Sequence, residues 1–198
     1  IVFNGEIYNF TTLKKDLKEF EFKSDTDTEV LLYLYIKFKA KALEMIEGMF
    51  SFAIYDKKKD ELFCARDQYG IKPFYYYSYK NQFWFSSEIK TFFIIDKNIT
   101  KNDNAIFRYL NSEYHEHIKE TFYKDIFKIK PGHYLIVKKS KIVEKQFWKF
   151  EKKFEKTILP KKEEEKREYI NLLMSKAVEN SMVSDVPISI ASSGGLDS

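Results

Sequence analysis

The sequence predicts a layered α+β domain of antiparallel hairpins and helices, followed by the first helix and strand of an α/β domain. Three observations carry this. From Met49 the apolar residues recur with period two, Phe50, Phe52 and Ile54 on one face, and similar runs recur later between turn residues. Thr26-Asp27-Thr28-Glu29 has the form of a capping box ahead of Leu31, Leu34, Tyr35 and Phe38 at helical spacing. After Trp148 the composition shifts to charge.

Taken in order, Ile1-Val2-Phe3 reads as the end of a strand, and Thr11 to Phe20 as a short helix. The capping box places the next helix at about Asp27 to Lys37, with Thr26 as N-cap and Glu29 reaching back. A hairpin follows, its charged turn at Asp56 to Asp60 and its return strand at Leu62 to Ala65. A second runs from Phe74 to Tyr79, turns at Lys80-Asn81 and returns over Gln82 to Phe85. Short helical segments are expected near Glu88 to Phe93 and Asp103 to Leu110. A third hairpin pairs His133 to Lys138 with Lys141 to Phe147 across Lys139-Ser140, after Pro131-Gly132. Lys149 to Lys166 reads as a linker entering a helix with Ile170, Leu173, Ala177 and Val178 on one side. The expected division is residues 1–150 and 151–198.

Composition excludes several classes. With 44% hydrophobic and 32% charged residues the chain is neither a disordered polyelectrolyte nor a membrane span. A net charge of +4, from 34 basic and 30 acidic residues, is dispersed, so no basic stripe marks a nucleic-acid or membrane face. Aromatic residues make up 18% and interleave with lysine in Tyr75-Tyr76-Tyr77-Ser78-Tyr79-Lys80, which raises a stacking platform for single strands as a rival reading. Strand alternation puts about half of such rings on a core face and weakens that rival. Cys64, a lone cysteine in a strand, reads as a buried small residue, and its single thiol fits a reducing, cytoplasmic setting. His115, His117 and His133 lack the spacing of a metal site.

The last residues carry chemistry. Val186 to Ala191 reads as a buried strand that delivers Ser193-Gly194-Gly195-Leu196-Asp197-Ser198 at a strand-to-helix turn. Adjacent glycines let backbone N–H groups approach an anion, Ser193 and Ser198 add hydroxyls, and Asp197 is suited to Mg²⁺. No lysine follows, which argues against a loop that reaches terminal phosphates and favours one that grips pyrophosphate. An ordinary Ser-Gly-Gly turn is the plainer alternative.

Phe3-Asn4-Gly5-Glu6-Ile7-Tyr8-Asn9, Asp27-Thr28-Glu29, Ala65-Arg66-Asp67 through Gly70-Ile71-Lys72-Pro73, Ser87-Glu88-Ile89-Lys90 and Ser193 to Ser198 stand in the order typical of glutamine-hydrolysing asparagine synthetases. The whole chain resembles that family. The resemblance implies an N-terminal-nucleophile (Ntn) hydrolase αββα sandwich over residues 1–150, a glutamine amidotransferase domain lacking its start. It implies the beginning of an ATP pyrophosphatase domain, adenine nucleotide α-hydrolase-like, over 151–198. The implied reaction takes aspartate, glutamine and ATP to asparagine, glutamate, AMP and pyrophosphate, with Mg²⁺ and with no nucleic-acid or membrane partner, and it allows a homodimer.

By the same resemblance Asn4 and Gly5 form the oxyanion hole. Asp27 holds the glutamine α-ammonium, with Glu6 lining the same pocket, and Ser193, Gly194, Gly195, Asp197 and Ser198 bind the pyrophosphate of ATP, with Asp197 on Mg²⁺. Each residue also has a plainer role: Asn4-Gly5 as a tight turn, Asp27 as a charge in the first turn of a helix. Arg66, Asp67, Lys72 and Glu88 have no reaction step, and turn geometry with ion pairing among them is the expected role. The nucleophilic cysteine of such glutaminases would precede Ile1, and the segment that binds the glutamine carboxylate is missing too, so the sequence reads as a fragment at both ends that does not itself hydrolyse glutamine. A relative with another carboxylate acceptor, or a cyclase resembling β-lactam synthetase, is the alternative.

Overall fold

Two antiparallel sheets stack face to face in the computed structural model, which describes residues 1–112, 118–139, 141–150, 159–184, 186–189 and 193–195. The strands are β1 (Val2–Ile7), β2 (Gly48–Asp56), β3 (Glu61–Arg66), β4 (Tyr75–Tyr79), β5 (Gln82–Ser86), β6 (Ile126–Lys128), β7 (His133–Lys138) and β8 (Lys141–Gln146). The first sheet has the order β1-β2-β3-β7-β8 and the second β5-β4-β6. The helices are α1 (Phe10–Lys14), α2 (Asp27–Phe38), α3 (Phe92–Ile95), α4 (Asp103–Ser112) and α5 (Glu163–Ser181).

Period two sorts side chains into separate cores. Ile7, Phe50, Phe52, Ile54, Phe63 and Ala65 face the helical layer, where they meet Leu13, Leu17, Val30, Leu31 and Leu34. The alternate residues Ala53, Cys64, Leu135 and Val137 face the second sheet and pack on Phe74 and Tyr76. On the outer face of that sheet Tyr77 and Ile126 pack on Phe92, with Tyr75, Tyr79 and Ile89 around them. The result is four layers, helix, sheet, sheet, helix, the layered α+β arrangement expected from the sequence. The tyrosine run is used by this alternation: Tyr76 stacks on Phe83 at 5.6 Å, Tyr77 on Tyr79 at 5.5 Å, and both Tyr76 and Tyr77 are buried.

Some elements differ from expectation. The first helix is α1 alone; beyond it Asp16 N donates to Leu13 O and Leu17 N to Lys14 O. These i→i−3 turns keep Leu13 and Leu17 on one buried face without an α-helix. Strand β6 and a 3₁₀ segment at Lys39–Glu44 add to the elements expected from the sequence. Thr26 does cap α2, accepting from Glu29 N at 3.4 Å, but the Glu29 carboxylate bonds elsewhere: it accepts from Lys23 N (3.0 Å), Ser24 N (2.7 Å) and Ser24 Oγ (2.6 Å).

The chain divides into two units, Ile1–Phe154 and Glu155–Ser198. In the second, α5 begins on Glu163, Glu164 and Glu165, which suit the positive end of a helix, and none of its residues is buried. Val186 to Ser189 form no strand, contrary to the sequence reading, and the rest of that stretch, 190–191, lies outside the described residues. So do the turn residue Ser140, His115, His117 and most of the start of the linker, 151–158. Among the described residues no helix is long and apolar enough to cross a membrane.

Candidate functional site

The site assembles along β1, on its side away from β2, where among the described residues β1 ends the strand order of the first sheet. Register decides what that edge displays. β1 runs antiparallel to β2 with Asn4 opposite Ser51, Gly5 opposite Phe50 and Ile7 opposite Gly48. Tyr8 N donates to Glu47 O at 2.7 Å, so even-numbered residues exchange bonds with β2 and odd-numbered ones turn their N–H groups outward. Ile7 obeys this, its N–H donating to Asp27 Oδ2 at 3.0 Å. The Gly5 N–H therefore faces out along the same edge as Asp27.

Gly5 is required by its backbone. It has φ +152°, and a Cβ there would stand 2.1 Å from Met49 O. Gly48, with φ +157°, is its counterpart: a Cβ would stand 2.1 Å from Glu6 O. The two strands approach so closely here that both must be glycine. Asn4-Gly5 is thus strand and not the tight turn that its dipeptide suggests.

Pleating puts Asn4 and Glu6 on the opposite face from Phe3 and Ile7. Asn4 Nδ2 donates to Ser87 Oγ at 3.2 Å, which joins the first quoted motif to Ser87-Glu88-Ile89-Lys90 across 83 positions. Glu6 is half-buried. Burial first, then the charges of Glu6 and Asp67, raises the Tyr8 phenol above its ordinary range. Carboxylate potential is therefore felt at this end of β1.

Asp27 enters as the first residue of α2. Its Oδ2 is taken by Ile7 N, and its Oδ1 accepts from Thr28 Oγ1 at 3.3 Å, a long bond that leaves acceptor capacity. The half-buried carboxylate also sits where the helix dipole favours negative charge, so both roles read from the sequence coexist. Glu29 fixes the approach to α2; the Ser24 hydroxyl, then the Lys23 amide, pulls its carboxyl down to about 2.

Arg66 and Asp67 are buried and bond to main chain around Gly70, in line with the turn geometry expected of these charges. Arg66 donates to Lys72 O (2.7 Å), Ile129 O (2.9 Å) and Gly70 O (2.6 Å). Asp67 accepts from Phe50, Tyr69, Ile71 and Lys72 amides. Glu88 pairs with Lys90 at 2.5 Å on the surface. Cys64 is fully buried, and burial raises its thiol pKa, so it is no nucleophile. His133 Nδ1 lies 2.8 Å from Pro131 O. Motif order brings Ser87 to notice but not Ser51, and neither is legible as a partner of this edge, since contacts so distant along the chain have no periodicity.

A cavity of about 400 Å³ between Phe10, Thr11, Lys14, Lys15 and Asp25 shares no residue with the β1 edge, so geometry and not volume marks the site. In the second unit Gly194 has φ +73° with nothing within 4 Å of where a Cβ would stand, and Gly195 N donates to Ser193 Oγ at 3.3 Å. Asp197 and Ser198 lie outside the described residues.

A family profile described as glutamine amidotransferase domain matches residues 1–148. The putative glutamine-hydrolysing asparagine synthetase 2 of Methanocaldococcus jannaschii is 39% identical over 210 residues, covering 100% of this chain and 38% of that protein. Asparagine synthetase 1 of Bacillus subtilis is 35% identical over 201 residues, with coverage of 100% and 31%. Amidase chry2 of Gibberella zeae is 31% identical over 201 residues, with coverage of 100% and 29%. The chain thus spans less than two fifths of the length of these relatives. Among solved structures, glutamine phosphoribosylpyrophosphate amidotransferase of B. subtilis superposes with TM-score 0.55 at 21% identity, over 74% of this chain and 28% of that one.

Proposed function

This chain belongs to the glutamine amidotransferase domain family, and from that premise we propose that it is the glutamine-hydrolysing part of an ATP-dependent asparagine synthetase. The observation that carries the reading is the β1 edge, where an outward Gly5 N–H, the Asn4 amide and the Asp27 carboxylate lie along one strand and the helix bonded to it. Attack of a thiolate on the glutamine amide develops negative charge on the carbonyl oxygen. Gly5 N–H and Asn4 Nδ2 donate to that oxygen, the amide exchanging its Ser87 bond for it. Fixed donors of this kind lower the barrier by about 3 kcal/mol each. Asp27 Oδ1, with Glu6, holds the α-ammonium.

Residues 1–150 form this amidotransferase domain and 151–198 begin the synthetase domain. Its loop fits a nucleotide in one respect: the main chain at Gly194 leaves open space where a side chain would stand. Ser193, Gly194, Gly195, Asp197 and Ser198 are its binding residues for ATP and Mg²⁺, with Asp197 on the metal. ATP supplies the activation of the acceptor carboxylate, which is that of aspartate, and a cytoplasmic enzyme acting on these small molecules follows. The amidase relatives favour a second reading, the same domain pair serving a different acceptor.

The test uses the full-length protein. Asn4→Ala lowers glutamine-dependent synthesis about 100-fold, while synthesis from free ammonia with aspartate and ATP is retained. Equal loss with both nitrogen sources overturns the site; ammonia-dependent turnover of another carboxylate in place of aspartate selects the second reading.

A further inference from the structure

Asp67 has no part in the chemistry above, yet its carboxylate holds the residues that face the oxyanion pair. It is 1% exposed and accepts four main-chain N–H groups, Phe50 (3.3 Å), Tyr69 (3.1 Å), Ile71 (2.9 Å) and Lys72 (2.9 Å). An ordinary continuation of the β2–β3 ladder would bond Phe50 N to the Asp67 carbonyl. Here Asp67 N does donate to Phe50 O at 2.8 Å, but Oδ2 replaces the carbonyl in the return bond. The carbonyl is released to Gly132 N (2.8 Å) and Gly70 N (3.2 Å).

The loop that Asp67 gathers reaches β2 a second time. Pro73 O accepts from Ser51 Oγ at 2.9 Å, and Arg66 closes the loop from within through Gly70 O and Lys72 O. Phe50 and Ser51 are the two residues opposite Gly5 and Asn4. Both are therefore tied to one loop, on the side of β2 away from β1. Because β1 pairs with β2 along its whole length, Val2 to Ile7, the position of β2 sets the aim of β1.

We propose that Asp67, through its loop and Ser51, is a positioning residue that sets the direction of the Gly5 N–H and the Asn4 amide toward the oxyanion. The proposal rests on the glutaminase reading of that edge. Donors aimed at the oxyanion act in the transition state and not on bound substrate, whereas Asp27, the ammonium ligand, is carried by α2 and meets β1 through Ile7 N, beyond the two donors. A positioning fault must therefore lower kcat far more than it changes KM.

The experiment measures glutamine hydrolysis by the full-length protein with Asp67→Asn and Ser51→Ala, alone and each combined with Asn4→Ala. Expected are a kcat loss of about 100-fold for Asp67→Asn and about fivefold for Ser51→Ala, with KM within about twofold. In the Asn4→Ala background each loss shrinks, because the donors no longer act as a unit. Full additivity, or a rise in KM with kcat unchanged, overturns the proposal. If Asp67→Asn fails to fold, Ser51→Ala decides: unchanged kcat overturns it. Absence of any glutamine hydrolysis by the unsubstituted protein overturns instead the glutaminase reading on which it rests.

Discussion

Two aspartates flank the first two strands, and their surroundings separate a carboxylate that can bind a ligand from one that cannot. Asp67, in the loop after β3, is sealed and saturated by four amides. Asp27, at the start of α2, is half-buried, spends one oxygen on Ile7 N and keeps capacity on the other. Both belong to motifs that the sequence brings to notice for the same reason, an acidic residue in a family pattern. The difference teaches that hydrogen-bond saturation, more than burial or charge, assigns a carboxylate to scaffold or to site.

The comparison breaks first at stability. Asp67→Ala orphans four N–H groups around a buried position, and urea unfolding is expected to show a loss of about 3 kcal/mol or more. Asp27→Ala removes one main-chain bond and a favourable helix-end charge, a loss of about 1 kcal/mol. Comparable losses at the two positions would erase the distinction. The next largest contrast lies between glycines. Gly5→Ala meets Met49 O and carries a φ that L residues avoid, so about 3 kcal/mol is expected, whereas Gly194→Ala, with open space around it, costs about 1 kcal/mol from backbone strain alone. Equal shifts in unfolding midpoint would contradict the packing at the β1–β2 approach.

A smaller effect appears with pH in the segment that leads to Asp27. The Glu29 carboxyl is lowered to about 2, so its contribution is complete above the ordinary carboxylate pKa and is lost as pH falls through that range toward 2. Glu29→Gln should flatten the acid limb of the unfolding midpoint between about pH 4.5 and 2. An unchanged acid limb would remove Glu29 from the anchoring of α2. At the alkaline end Tyr76 and Tyr77, raised to about 12 chiefly by burial, contribute stability that is present below their unfolded pKa of about 10 and lost as pH rises toward 12.

Much of the fold was legible because its signals are local. The N-cap and helical spacing located α2, and period two located three hairpins. Where signals overlap, reading failed: Leu13 and Leu17 have helical spacing, yet i→i−3 turns satisfy it equally well. β6 is three residues long, too short for any period, and Val186 to Ser189 has a strand's composition without strand structure. At the site, motif order singled out Asn4, Gly5, Glu6 and Asp27. The outward direction of the Gly5 N–H came only from register. The carbonyls that bond Arg66 and the amides that bond Asp67 are groups every residue possesses, so no sequence could name them. In the second unit α5 shows apolar Leu173 and Val178 at the surface, and the sequence marked the same residues as one side of a helix.

The most direct test of the β1 edge is Asp27→Asn in the full-length protein, assayed on glutamine and on the same amide lacking the α-amino group. Loss of a charge-assisted bond to the ammonium predicts a fall in kcat/KM of about 10- to 100-fold for glutamine and none for the amine-free amide. An equal fall for both would show that Asp27 serves the strand alone, and the glutamine site would have to lie elsewhere.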